Sequence, residues 1–164
     1  MKARYFRWLV NCWPPLLFTG IKAVDVSDDY REINVTLKLR WYNRNYVAVQ
    51  YGGSLFSMTD PWYMLMLMHV LGKDYYVWDK TAEIDYIKPG KTHVFARFKL
   101  TQEIIDDIKL KTANGEKYLP EFLIEIRDEN KELIAKVKRI LYVKLKSKTS
   151  SPQPSPIKVE EENS

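Results

Sequence analysis

Apolar and polar positions alternate without a break through "EINVTLKLRW", residues 32 to 41. Ile33, Val35, Leu37 and Leu39 take one side, and Asn34, Thr36, Lys38 and Arg40 the other. A period of two with a single apolar face predicts a half-buried strand. "IKAVDV" (21–26) predicts a strand before it, with a turn at the two aspartates preceding Tyr30. "YYVWDKTAEIDY" (75–86) and "THVFARFKL" (92–100) predict two more; the Pro-Gly of "KPGK" between them is a hairpin-reversing signal, so these two are expected to pair. Thr101 stands as N-cap to a short amphipathic helix over "QEIIDDIKLKTAN", which Gly115 would end. "YLPEFLIEIRD" and "ELIAKVKRILYVKLK", joined through "DENK", predict a final long hairpin.

The stretch "GGSLFSMTDPWYMLMLMHVLG", residues 52 to 72, keeps no polar face, and reads as one long central helix that must be covered on nearly every side. A curved antiparallel sheet wrapped around it, with a second copy of the chain closing the rest, satisfies that demand. The fold class expected is therefore α+β. The N-terminal "MKARYFRWLVNCWPPLLFTG" opens like a signal peptide, with basic residues before an apolar stretch, but Arg7 interrupts its apolar run and Pro14-Pro15 break it. It reads instead as an amphipathic helical segment over residues 1–19 that packs on the domain. The longest apolar run, Pro61 to Leu71, is far below the roughly 20 residues of a membrane span, so no membrane partner and a cytoplasmic location are expected.

Composition adds boundaries. The 164 residues suit a single core over 1–146, with 46% hydrophobic and 13% aromatic residues. Residues 147 to 164, rich in Ser, Pro and Glu, are expected to be a disordered tail. The net charge is +5, and up to Lys146 the body holds 24 basic against 18 acidic residues. That excess suits an anionic partner without choosing one. Because most lysines alternate with apolar residues, as on a solvated face, no nucleic-acid partner is expected. Cys12 is the lone cysteine, which excludes an intrachain disulfide and points to a reducing compartment. His69 and His93 stand apart and match no zinc spacing, so no metal site is expected.

The candidate chemistry lies in "NRNYVAVQYGGSLFSMTD", Asn43 to Asp60. It resembles the signature of hotdog-fold thioesterases of the 4-hydroxybenzoyl-CoA and phenylacetyl-CoA type. In that superfamily an Asn in the preceding loop, a His-Gly-Gly opening the helix and an acid eight residues after the first glycine form the site. Asn45, Gly52, Gly53 and Asp60 fall in register with it. "GGSLFSMTDP", "VWDK" and "KPG" are most similar to a little-characterised bacterial branch labelled acyl-CoA thioesterase, of unknown domain function. Tyr51 replaces the family's His, and Asp79 stands where relatives often carry a hydroxyl. The resemblance implies hydrolysis of an acyl-CoA to free acid and CoA, with CoA part of the substrate and no separate cofactor.

The residue types suit that chemistry by themselves. Amides at a helix N-terminus, with glycine allowing close approach, would polarise a thioester carbonyl. A carboxylate would serve as base or nucleophile. Eight residues of straight helix separate Gly52 from Asp60 by about 12 Å. One subunit could not then bring both to one carbonyl, and a homodimer with two shared sites is expected; whether dimers pair into tetramers stays open. Alternatives stand beside each assignment. Asp60-Pro61 is also a helix-start signal, the glycines also make a tight turn, and Asn45 also holds loops. Met58, with Met64, Met66 and Met68, either lines a deformable acyl pocket with Tyr51 or fills the core. Asp79 is either a second acid or an ion-pair partner of Lys80. Arg44, Lys88 and Lys91 are candidates for the CoA phosphates or simply solubilising charges. The rival function is a non-catalytic hotdog that binds acyl or acyl-CoA ligands.

Overall fold

The computed structural model describes residues 1 to 146, and the expected disordered tail lies outside the described residues. The strands are β1 (Ile21–Val26), β2 (Glu32–Leu37), β3 (Tyr75–Tyr86), β4 (Val94–Lys99), a two-residue β5 (Lys117–Tyr118), β6 (Glu121–Asp128) and β7 (Leu133–Leu145). They form one curved sheet in the order β1-β2-β4-β6-β7-β3, every pair antiparallel, with β5 attached to β7. The expected hairpin between β3 and β4 is not formed: β3 pairs with β7, while β4 lies between β2 and β6. Burial explains the exchange. Val94, Ala96 and Phe98 of β4 are buried and need neighbours on both sides, whereas β3 is exposed along most of its length and suits an edge. The "KPGK" segment carries the chain across the end of the sheet. Ile87 and Lys88 donate to the Ile134 carbonyl at 2.8 and 3.1 Å, and Gly90 accepts from the Gln50 amide at 2.8 Å.

β2 stops at Leu37 rather than running to Trp41, because the buried Asn43 draws the chain away. Its Nδ2 donates to the carbonyls of Thr19 and Lys38 at 2.9 and 2.8 Å, and its Oδ1 accepts from the Arg40 amide at 2.7 Å. The helix after Thr101 forms as expected, as α5 (Gln102–Thr112), with Thr101 Oγ1 accepting from the Ile104 amide.

The single long central helix is not present. It is divided into α3 (Gly52–Ser57) and α4 (Trp62–Leu71), with a turn over 58–61. Pro61 is the cause: it has no N–H for the Ser57 carbonyl, and the Asp60 amide takes that acceptor at 3.1 Å. The buried Trp62 closes the turn by donating from Nε1 to the Met58 carbonyl at 2.7 Å. Trp62, Met66 and Leu67 are fully buried against the sheet, while Met68 stays 49% exposed, so the sheet covers one side of α4 and not all of it.

The N-terminal segment is likewise split, into α1 (Ala3–Cys12) and α2 (Pro14–Leu17), with α5 (Gln102–Thr112) the last helix. Ala3, Phe6 and Val10 bury the inner face of α1. Asn11 meets β1 as a strand would: its Nδ2 donates to the Ala23 carbonyl at 3.0 Å and its Oδ1 accepts from the Ala23 amide at 2.8 Å. Arg7 adds a bond to the Val24 carbonyl at 2.8 Å. Phe6, Tyr30 and His69 pack together, with Tyr30 stacked on His69 at 4.1 Å and its hydroxyl donating to the Met1 carbonyl. α1 is thereby tied to α4 as well as to β1. No helix among the described residues is long and apolar enough to cross a membrane.

Candidate functional site

Gly52 and Gly53 form the first turn of α3, behind Tyr51 in extended conformation. The first amides of a helix have no partner within it, so these two N–H groups are its outward donors. Tyr86, at the end of β3, donates its hydroxyl to the Gly52 carbonyl at 3.1 Å and sets this turn beside the strand. A Cβ on Gly52 would lie 3.1 Å from that hydroxyl; one on Gly53 would meet the Tyr51 ring at 2.5 Å. Tyr51 is thus laid over Gly53, with more than half its surface exposed. Gln50, just upstream, is a buried peg: Nε2 donates to the carbonyls of Leu37 and Thr92 at 3.1 and 3.0 Å, which fixes where α3 begins.

Asp60 does not cap α4. Pro61 takes the N-cap position and no side chain caps the helix. The Asp60 carboxylate instead reaches Arg139 of β7, Oδ1 to Nη1 at 3.0 Å, while its side chain remains 59% exposed. Arg139 is almost wholly buried and holds three partners. Its Nε donates to Thr59 Oγ1 at 3.2 Å, and its Nη1 also reaches Asp79 Oδ1 at 3.3 Å. The Phe56 ring lies against the guanidinium, 5.2 Å from centroid to Cζ. Arg139 Nη2 is buried without a hydrogen-bond partner among the described residues.

A bulge makes the cluster possible. β3 carries one extra residue, Lys80, between Asp79, opposite Leu141, and Thr81, opposite Ile140. Leu141 and Arg139 are buried on the same face of β7, so the extra residue lets both Asp79 and Ala82 face them. Asp79 therefore pairs with Arg139 across the strands and not with Lys80. Burial raises the Asp79 carboxyl above its ordinary value, Arg139 pulls it back, and repulsion from Asp60 adds to the rise. A carboxyl raised on folding contributes stability below the ordinary Asp range that is lost as pH rises through the raised value. Asp79→Asn keeps the neutral form at every pH. Measured by urea unfolding, it is expected to gain on the wild type as pH rises from about 4 through the raised value, and to hold that gain above it. A difference that shrinks over that interval would contradict this account.

The other sequence candidates gather at the opposite end of α3. Asn45 closes a loop: its Oδ1 accepts from the amides of Val47 and Val49, both at 3.1 Å, around Ala48 in the left-handed region. Arg44 bridges to Gln50, and Gln50 bonds Gly90, next to the exposed Lys91. Lys88 is paired with Glu132 at 3.1 Å. Arg44, Lys88 and Lys91 therefore rim the start of α3. Met58 is fully buried. Asp60, Asp79, Arg139 and Thr59 make one cluster beyond the C-terminal end of α3; Tyr51, Gly52 and Gly53 stand together at its start, while Asn45 is engaged within its own loop. Arg139, Thr59, Tyr86 and Gln50 are members that sequence reading passed over.

Similar solved structures agree on the fold. A protein of unknown function from Pseudomonas aeruginosa, described as "Probable Thioesterase", matches with a TM-score of 0.78 at 16% identity, over 88% of this chain and 97% of that one. A thioesterase from Haemophilus influenzae matches with a TM-score of 0.65 at 15% identity, over 88% and 92%. A thioesterase from Staphylococcus aureus, solved as a mutant, matches with a TM-score of 0.59 at 12% identity, over 79% and 98%. No curated protein sequence matches the chain. The model of one family, Domain of unknown function (DUF4442), matches residues 2–143. Nearly the whole described chain is thus accounted for, and the protein belongs to this DUF4442 family, with the hotdog, thioesterase-like fold that its sequence resembles.

Proposed function

We propose that the protein is an acyl-CoA thioesterase, releasing free acid and CoA from an acyl-CoA. The observation that carries the reading is Asp60, an exposed carboxylate in the turn between α3 and α4, held by a buried arginine rather than spent on a helix cap. With Oδ1 fixed by Arg139, Oδ2 takes the proton of a water that adds to the thioester carbon. The carbon–sulfur bond then breaks, and the proton passes from Asp60 to the departing CoA sulfur. The Gly52 or Gly53 amide receives the charge that develops on the carbonyl oxygen. Arg139 is a positioning residue, Asp79 its second carboxylate, and Asn45 holds the loop behind Tyr51. Arg44, Lys88 and Lys91 would meet the CoA phosphates. Neither metal nor redox cofactor is invoked.

The reading requires a homodimer. Asp60 lies beyond the C-terminal end of the six-residue α3 and Gly52 at its start, so roughly 9 Å of helix separates them. Two antiparallel copies of α3 across a two-fold axis would set Asp60 of one subunit against Gly52 of its partner. β3, the sheet edge that flanks both clusters, is where the copies would meet. The single cysteine suits work in the reducing cytoplasm. Thiol-release kinetics over short, aryl and long-chain acyl-CoA substrates are the test. Turnover of one class, with Asp60-dependent kcat, is expected. Tight binding of every class without thiol release would move the assignment to a non-catalytic acyl-CoA binder.

A further inference from the structure

α1 is apolar on two sides. Its inner face, Ala3, Phe6 and Val10, is buried and suffices to hold it on the sheet. Its outer face nevertheless presents Tyr5, Trp8 and Leu9, with Trp8 62% exposed, and the following turn adds Trp13 and Phe18, the latter 76% exposed. Trp41, 82% exposed, joins the same end, because Asn43 ties its loop to the Thr19 carbonyl. Folding does not need these rings outside.

Cations prevail around the rings at the C-terminal end of α1, while the acids Asp25, Asp28 and Asp29 lie towards its other end, where Tyr30 bonds the Met1 carbonyl. Residues 1 to 24 contain Lys2, Arg4, Arg7 and Lys22 and no acid; residues 33 to 59 contain Lys38, Arg40 and Arg44 and no acid. Large rings interleaved with cations on a convex helix match the two layers of a bilayer surface, acyl boundary beneath and phosphates above. A nucleic acid would use the cations but not Leu9 or Phe18, and a protein partner's groove would leave the cations without a purpose. From this face we infer a peripheral docking site for an anionic lipid bilayer, with α1 lying in the plane of the interface. α1 sits on β1, at the end of the sheet away from β3, so docking leaves the Asp60 edge unobstructed.

The test is co-sedimentation of the full chain with phosphatidylcholine vesicles that do or do not contain phosphatidylglycerol, at low and high salt. Retention is expected on the phosphatidylglycerol vesicles and should fall with salt. Trp8→Ser should weaken it about tenfold, and Arg4→Gln about fivefold. Both side chains are exposed, so circular dichroism and melting should be unchanged. Absence of retention on anionic vesicles overturns the inference, as does equal retention of wild type and both variants. Self-association abolished by Trp8→Ser, without vesicle binding, makes the face a contact between copies and equally overturns it. None of these readouts depends on thioester hydrolysis.

Discussion

Asp60→Asn is expected to lower kcat for thiol release about a thousandfold and to leave the fold standing. The substitution keeps an oxygen acceptor for Arg139 Nη1 and removes the proton-accepting charge. More than half of the side chain is in solvent, so desolvation changes little. The stability change should stay within about 1 kcal/mol, the range of exposed ion pairs. Steady-state kinetics with a thiol-trapping reagent and a thermal melt on the same preparation read both quantities. Full activity in a folded Asp60→Asn protein would falsify the assignment of Asp60 to the chemistry. A fall in kcat with KM nearly constant would place the loss in the transition state rather than in substrate binding.

Arg139→Ala should be the most destabilising single change in the site, about 3 kcal/mol by urea unfolding. Three losses combine. The guanidinium's bonds to Thr59, Asp60 and Asp79 go, its stem leaves a void beneath α3, and the half-buried Asp79 loses the cation that offsets its burial. Arg139→Met separates packing from the rest, because it refills the void while still removing the charge and its hydrogen bonds. It should recover most of the stability while kcat stays depressed, since Asp60 is then unanchored. If Arg139→Met were as active as wild type, Arg139 would be a structural bridge with no part in positioning Asp60. If Arg139→Ala melted like wild type, the cluster would not be the link between α3 and β7.

Local patterns carried most of the elements. β3 occupies the residues that alternation indicates, Tyr75 to Tyr86, and Thr101 caps its helix as its position implies. Pairing was not legible. A Pro-Gly turn signals a reversal of the chain, but which strands become neighbours depends on how much of each must be buried, as β4 and β3 show. Asp60-Pro61 carried a helix-start signal, and the helix does divide at the proline, which lacks the N–H. Arg139 left a mark that went unread. The series Leu133, Ala135, Val137, Arg139, Leu141, Val143 runs along the buried side of β7, and Arg139 is its one charge. Lys138 beside it disguised the anomaly as an ordinary basic surface. Asp79 was visible as an unusual acid, but the bulge that turns it towards Arg139 needs the partner strand to be seen.

The contact of Asn11 with β1 has a consequence for assembly. An uncovered edge strand invites endless lateral addition of further chains, the route to fibres. Here the β1 edge is occupied where Asn11 takes both hydrogen-bonding groups of Ala23 and Arg7 takes the carbonyl of Val24. The opposite edge, β3, is left for another chain. A sheet blocked at one margin can be extended only once, by a copy meeting it about a two-fold axis, and growth then stops. The N-terminal helix thus acts as a chain terminator for the sheet: it limits any edge-to-edge association of this protein to a pair.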